Sequence, residues 1–212
     1  KKDAKVTVHY YEENTTNKVS EDIEIHGKVF DNYSTSKADD VPSKYELVAE
    51  PENKSGKMTE DEIVVIYYYR KKASKVIVHY YEQGTTNKLS EDITINGRVD
   101  DNYSTASAED IPAKSELVSE PENKTGTMTE DTIEVIYYYQ VKGAVVNVRY
   151  LEKGTDEELA DSIQLKGKVD EEYQTEAKEI EGYQLVEHSG NESGKFEAQP
   201  LEVTYYYLYK TK

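Results

Sequence analysis

The sequence predicts an α+β fold that is mainly β: three small domains in tandem, each with four strands and one short helix, arranged as an elongated rod. Three observations lead there. A triple tyrosine occurs three times, at Tyr67–Tyr69, Tyr137–Tyr139 and Tyr205–Tyr207, each closing a run of strand-forming residues. Landmarks recur at a fixed interval: Val8, Val78 and Val148 are 70 residues apart, as are Gly27, Gly97 and Gly167. Within each copy apolar and polar residues alternate with period two, as strands with one buried face require.

A period of this size makes the repeat the folding unit. The copies are 1–72, 73–142 and 143–212; in the third, the offset from the first falls to 138 by Tyr205, two residues having been lost ahead of it. Domains this small sit near the lower limit for a single core. The chain has no cysteine, which excludes disulfides and thiolate metal sites. Stability must come from core packing, buried tyrosine and contacts between neighbours.

The first run, Val6 to Tyr11, alternates strictly. Val6, Val8 and Tyr10 return as Val76, Val78, Tyr80 and as Val146, Val148, Tyr150, whereas Thr7, His9 and Tyr11 become Ile77, His79, Tyr81 and then Asn147, Arg149, Leu151. The first set faces the core; a face that accepts Asn and Arg is solvated or lies at a contact surface. A polar loop from Asn14 to Asn17, with Gly84 and Gly154 in the other copies, makes a hairpin turn. The second strand runs through Ile23 and Ile25, both inward, to Gly27 and Val29. Alternation then lapses. Ser34 to Asp40 offers caps and first-turn acids for a helix of at most two turns, ended by Pro42 or Gly182 and anchored by Tyr33 and Val41. A third strand begins at Leu47 and Val48 and reaches a turn at Asn53 to Gly56, where glycine supplies a positive φ. The last strand buries Ile63, Val65, Tyr67 and Tyr69 and turns Val64, Ile66 and Tyr68 outward, and the other copies keep this division.

Two hairpin-like pairs joined by a crossing element fold most compactly as a small mixed sheet with the first and last strands as central neighbours. That is the β-grasp arrangement; a four-stranded meander or a small Ig-like sandwich is the alternative. The connectors, Arg70 to Lys75 and Gln140 to Ala144, lack the composition of a tether, so one copy's last strand feeds almost directly into the next copy's first.

The formal charge of −17 divides as −3, −7 and −7 over the three copies. Such a surface excludes nucleic acid and anionic membrane as partners, since both are bound through basic patches. Both signs of charge are interspersed among regularly alternating hydrophobic residues, the mark of a folded chain. No apolar run is long enough to insert in a membrane, and the chain opens on Lys1-Lys2-Asp3 without a targeting segment. The expectation is a monomeric, excised piece of a longer protein, with export and anchoring signals outside it.

The opening Val-x-Val-x-Tyr, the Gly167-Lys168-Val169 followed by Tyr173-Gln174-Thr175, the third copy's Ile180-Glu181-Gly182-Tyr183-Gln184-Leu185-Val186 and the closing Val-x-Tyr-x-Tyr resemble the MucBP repeat. The resemblance covers essentially all three copies. The third matches best; the first two carry Pro-Ser-Lys or Pro-Ala-Lys in place of the usual glycine-tyrosine pair. It implies tandem ubiquitin-like β-grasp domains of a Gram-positive cell-surface protein, extracellular and cell-wall anchored, that serve in adhesion to mucin or other host glycoproteins. It supplies no catalytic residues.

Catalysis needs converging groups of matched pKa, and the sequence offers none: the chain is read as a non-enzyme without catalytic residues, cofactor or metal. His9, His26, His79 and His188 are scattered, only His9 and His79 correspond, and they read as exposed strand residues. Acidic clusters such as Asp39-Asp40 and Asp156-Glu157-Glu158 lack the spaced oxygen ligands of a calcium loop. Tyrosine is the informative residue, with 20 of them and no tryptophan. Most of these rings belong to the core, with the hydroxyl reaching a partner. Tyr68, Tyr138, Tyr206, Tyr11 and Tyr81 fall on the variable faces, where exposed rings stack on sugar or peptide, or else cover the joints or the back of the sheet. They are the candidate ligand-binding residues. The functional expectation is an adhesive module that binds mucin-type glycoprotein or glycan weakly and multivalently. The alternative is a stalk that projects another domain and binds nothing.

Overall fold

The structure, a computed structural model, describes residues 1–211. It contains 18 strands, six per copy, and no helix among the described residues. In the first copy β1 (Asp3–Glu12), β2 (Ile23–Lys28), β4 (Tyr45–Leu47) and β6 (Ile63–Lys71) form a sheet in the order β2-β1-β6-β4, while β3 (Asn32–Ser34) pairs with β5 (Ser55–Lys57) in a separate ribbon. β1 is antiparallel to β2 and parallel to β6, with Val6 opposite both Ile25 and Ile63. The first and last strands are therefore central neighbours. The second copy repeats the order with β7 (Ala73–Glu82), β8 (Ile93–Arg98), β10 (Ser115–Leu117) and β12 (Ile133–Val141) as β10-β12-β7-β8. The third does so with β13 (Gly143–Glu152), β14 (Glu158–Lys168), β16 (Tyr183–His188) and β18 (Leu201–Tyr209) as β14-β13-β18-β16.

The chain packs as two compact units. The first holds Lys1–Val78, Ile93–Thr105 and Glu122–Val135; the second holds the remaining described residues. In the first, Val6, Val8 and Tyr10 of β1 meet Val65, Tyr67 and Tyr69 of β6, with Tyr33 and Met58 closing the core. In the second, Val146, Val148 and Tyr150 meet Val203, Tyr205 and Tyr207, with Tyr173 and Phe196 in the closing places.

The expected helix over Ser34 to Asp40 does not form, so the fold is all-β rather than α+β. In a helix, the Ala38 N–H would bond back to Ser34; here it donates to the Tyr69 hydroxyl at 3.1 Å. The Tyr10 hydroxyl donates to the Ser36 carbonyl at 3.0 Å, and Thr35 Oγ1 lies 2.9 Å from both the Tyr67 hydroxyl and the Lys54 carbonyl. The crossover is held extended because three core phenols need partners, and a helix bonding to itself would leave them buried and unpaired. The second unit repeats the device: the Tyr139 hydroxyl accepts from the Ala108 N–H, and the Tyr207 hydroxyl accepts from the Lys178 N–H. Burial pushes the Tyr10, Tyr69, Tyr139 and Tyr207 phenols up, which keeps them protonated.

Three other expectations shift. The Lys54 N–H returns to the Pro51 carbonyl, so the turn precedes Gly56, which lies inside β5 opposite Tyr33. Gly56 has no positive φ; it makes room, since a Cβ there would stand 3.3 Å from the Tyr33 ring. Ile23 is 49% exposed because it lies at the end of an edge strand, on the core side but beyond the core's cover. The strand expected from Leu47 and Val48 is β4, Tyr45–Leu47, and Val48 follows it with its N–H still bonded to the Tyr68 carbonyl.

One residue, Lys72, separates β6 from β7, and one, Lys142, separates β12 from β13. Both are pinned on two sides. The Lys72 N–H donates to the Lys44 carbonyl at 2.8 Å and its carbonyl accepts from the Val99 N–H at 3.0 Å; Lys142 does the same with Lys114 and Val169. Lys44 and Lys71 both reach the Asp100 carboxylate, at 2.7 and 3.3 Å, and Lys114 reaches Asp170 at 2.8 Å.

Candidate functional site

The outer face of β1 and β6 carries the candidate residues of the first copy. Parallel register sets Tyr11 opposite Tyr68 and His9 opposite Ile66. Tyr68 is 41% exposed and Tyr11 half-buried. The His9 ring lies 5.2 Å from the Tyr11 ring and nearly parallel to it. Its Nδ1 is 3.0 Å from Asp22, whose second oxygen takes Lys18 at 2.8 Å. Burial works to raise the Asp22 carboxyl, but the bonds and charge of Lys18 and His9 outweigh it and hold the group below the usual range.

Beside Tyr68 stands the hairpin loop. The Glu13 N–H donates to the Tyr69 carbonyl at 2.7 Å, which ties the loop to the end of β6. Glu13, Asn14, Thr15 and Thr16 line a shallow open cleft together with Tyr68. Asn14 sits at φ 61°, where Asn is tolerated, and Thr15 is turned back onto the Glu12 carbonyl. The cleft thus joins one aromatic ring to amide, hydroxyl and carboxylate groups.

The second copy places the aromatic and ion-pair groups alike, with Gln83 and Gly84 in the loop where the first has Glu13 and Asn14. Tyr138 is 40% exposed, Tyr81 is half-buried with the His79 ring 5.5 Å away, and His79 meets Asp92, which also takes Lys88. The Gln83 N–H bonds to the Tyr139 carbonyl, as Glu13 does to Tyr69.

The third copy departs. Tyr206 is only half-exposed, opposite Leu151, which replaces Tyr11 and is 3% exposed. Arg149 replaces His9 and pairs with Glu158. β16 runs on to His188, setting Glu187 opposite Tyr206, and Lys153, at the place of Glu13, pairs with Glu187. With the longer edge strand and this ion pair beside it, Tyr206 is less exposed than Tyr68.

Of the five tyrosines singled out from sequence, the structure brings Tyr11 and Tyr68 together, gives Tyr81 and Tyr138 the corresponding surroundings, and sets Tyr206 apart. His9 and His79 are not the exposed strand residues expected: their side chains are 23% and 14% exposed and engaged by aspartate. The signal was available, since His9 with Asp22 and His79 with Asp92 share one spacing and are replaced together by Arg149 and Ser162. Among the described residues no cluster of three or more His, Asp or Glu is placed to hold a metal, and no helix is long and apolar enough to cross a membrane.

These features define a class: tandem small all-β repeats, two of them with an exposed tyrosine on the outer face and the first with an open cleft beside it. The chain belongs to the MucBP domain family, whose model matches residues 5–70, 75–140 and 145–208. It is 35% identical over 208 residues to Internalin J of Listeria monocytogenes serovar 1/2a and 35% identical over 207 residues to Internalin J of serotype 4b. Each alignment covers 95% of this chain, which spans about a quarter of either relative (24% and 22%). Among solved structures, the Bacillus anthracis TIE protein aligns with 98% of this chain and 51% of its own at a TM-score of 0.54 and 11% identity, a likeness of fold.

Proposed function

We propose that the chain is the repeat region of a bacterial surface adhesin and binds mucin-type glycoprotein weakly and multivalently, without catalysis. Its domains are 1–72, 73–142 and 143–212, read as β-grasp modules on the strength of the parallel central pairs β1–β6 and β13–β18 and the matching strand order of the second sheet. They are displayed on the outside of the cell. One observation carries the reading: an exposed tyrosine beside a polar hairpin loop occurs at the same place in two copies. A tyrosine face takes the C–H side of a pyranose, and the loop groups take its hydroxyls. A shallow cleft binds weakly, and repetition along one chain raises avidity where the target spans the sites. The family's name and its occurrence in Internalin J support the reading.

A second reading, a ligand-free stalk, is favoured by the connectors, each a single residue bonded on both sides. Retention of the intact chain on immobilised mucin separates the two. The adhesin reading expects retention, reduced roughly tenfold or more when Tyr68, Tyr138 and Tyr206 are together changed to serine with the fold intact, as loss of avidity demands. No retention of the intact chain leaves the stalk.

A further inference from the structure

We infer that the three copies are not equivalent: copies one and two each seat one neutral sugar ring on the Tyr68 and Tyr138 faces, and copy three is a closed spacer. This rests on the adhesin reading and divides it among the copies.

The seat is an exposed ring beside a supported neighbour. Tyr68 offers its exposed ring; Tyr11 stands opposite in register and flanks it, and Tyr11 is backed by the parallel ring of His9. His9 Nδ1 stands 3.0 Å from Asp22, and Asp22 takes Lys18 at 2.8 Å. A rigid aromatic platform loses little freedom on binding. In copy two the Tyr81–His79 stack and the His79–Asp92–Lys88 chain reproduce the support, and Tyr138 matches Tyr68 in exposure to within one percentage point (40% against 41%). Copy three has lost every supporting part at once. Leu151, Arg149 and Ser162 stand for Tyr, His and Asp, Thr204, opposite Arg149 in register, is 5% exposed, and the extended β16 sets Glu187 opposite Tyr206, where it pairs with Lys153, the counterpart of Glu13.

Charge selects the ligand. The cleft of copy one is lined by Glu13, and Lys18, beside the His9–Asp22 pair, is engaged by Asp22. A lysine already paired there is not free to meet a carboxylate or sulfate, and the chain's −17 charge repels both. Asn14, Thr16 and the tyrosine face of copy one, and Thr86 with the Tyr138 face of copy two, where Gly84 stands for Asn14, suit an uncharged hexose or N-acetylhexosamine.

The test uses the intact chain on an array of mucin-type oligosaccharides bearing neutral, sialylated and sulfated ends. Expected is binding to neutral ends, reduced at least about tenfold by the Tyr68→Ser/Tyr138→Ser pair and changed less than about twofold by Tyr206→Ser. Thr16→Lys with Thr86→Lys, exposed loop substitutions that leave the sheet alone, gives the same loss should the serine variants misfold. A loss on Tyr206→Ser equal to that of the pair, or binding confined to sialylated or sulfated ends, overturns this inference and leaves the adhesin reading standing. No binding of the intact chain to any end removes both.

Discussion

Changing Tyr69 to phenylalanine keeps the ring and deletes one oxygen, the acceptor for the Ala38 N–H at 3.1 Å. Tyr69 is 3% exposed, so water does not readily take the hydroxyl's place. A backbone N–H left unpaired in such a site costs about 1–3 kcal/mol. At about 1.4 kcal/mol per tenfold, hydrogen exchange at Ala38 should accelerate roughly 5- to 150-fold, provided it proceeds by local opening. The assay is amide exchange followed by NMR, with Tyr68→Phe as control: that ring lies on the outer face, and its change should stay within about 0.5 kcal/mol. Tyr207→Phe should act likewise at Lys178. Unaltered exchange at Ala38, or equal effects of Tyr68→Phe and Tyr69→Phe, would refute the claim that core phenols hold the crossover extended.

Two further outcomes follow from packing and charge. A Cβ on Gly27 would meet the Met58 sulfur at 2.6 Å, and one on Gly167 would meet the Phe196 ring. Methionine repacks where a ring does not, so Gly167→Ala should cost about 1–3 kcal/mol and Gly27→Ala less, read from urea midpoints. At the first joint, hydrogen bonds and charge from Lys44 and then Lys71 hold the Asp100 carboxyl below its usual range. A depressed carboxyl stabilises the fold above the ordinary value of about 4 and loses that contribution as pH falls through the lower folded one. Melting temperature should therefore drop on acidification below about pH 4, and Lys44→Ala with Lys71→Ala should remove part of that drop. The pair is exposed, so the effect is small and shrinks further in high salt.

Strand parity was legible because a buried face repeats with period two and three copies sample it independently. Val6, Val8, Tyr10, Val65, Tyr67 and Tyr69 are all in the core where alternation put them. The central pairing of first and last strands also followed from element order. The helix was misread because Ser34 to Asp40 carries cap-like residues whose partners are distant: Thr35 bonds to Lys54 and Tyr67, and a local pattern does not reveal a bond across 32 residues. Gly56 was misassigned for a related reason, since glycine marks both a positive φ and a close approach, and only the Tyr33 ring above it decides. At the candidate site, Tyr68 and Tyr138 were found by parity, whereas the closure over Tyr206 depends on how far β16 runs, which no residue type announces.

The parallel pairing of β1 with β6 has a mechanical consequence. The chain enters a copy at the start of one strand and leaves at the far end of its neighbour, with seven register pairs between them from Val6–Ile63 to Glu12–Tyr69. A pull on the two ends drags these strands in opposite directions along their length, so the ladder bonds between them bear the load together in shear instead of opening one at a time. The tyrosines that knit each crossover to the sheet lie within this sheared pair, so a copy yields to tension only when its core yields.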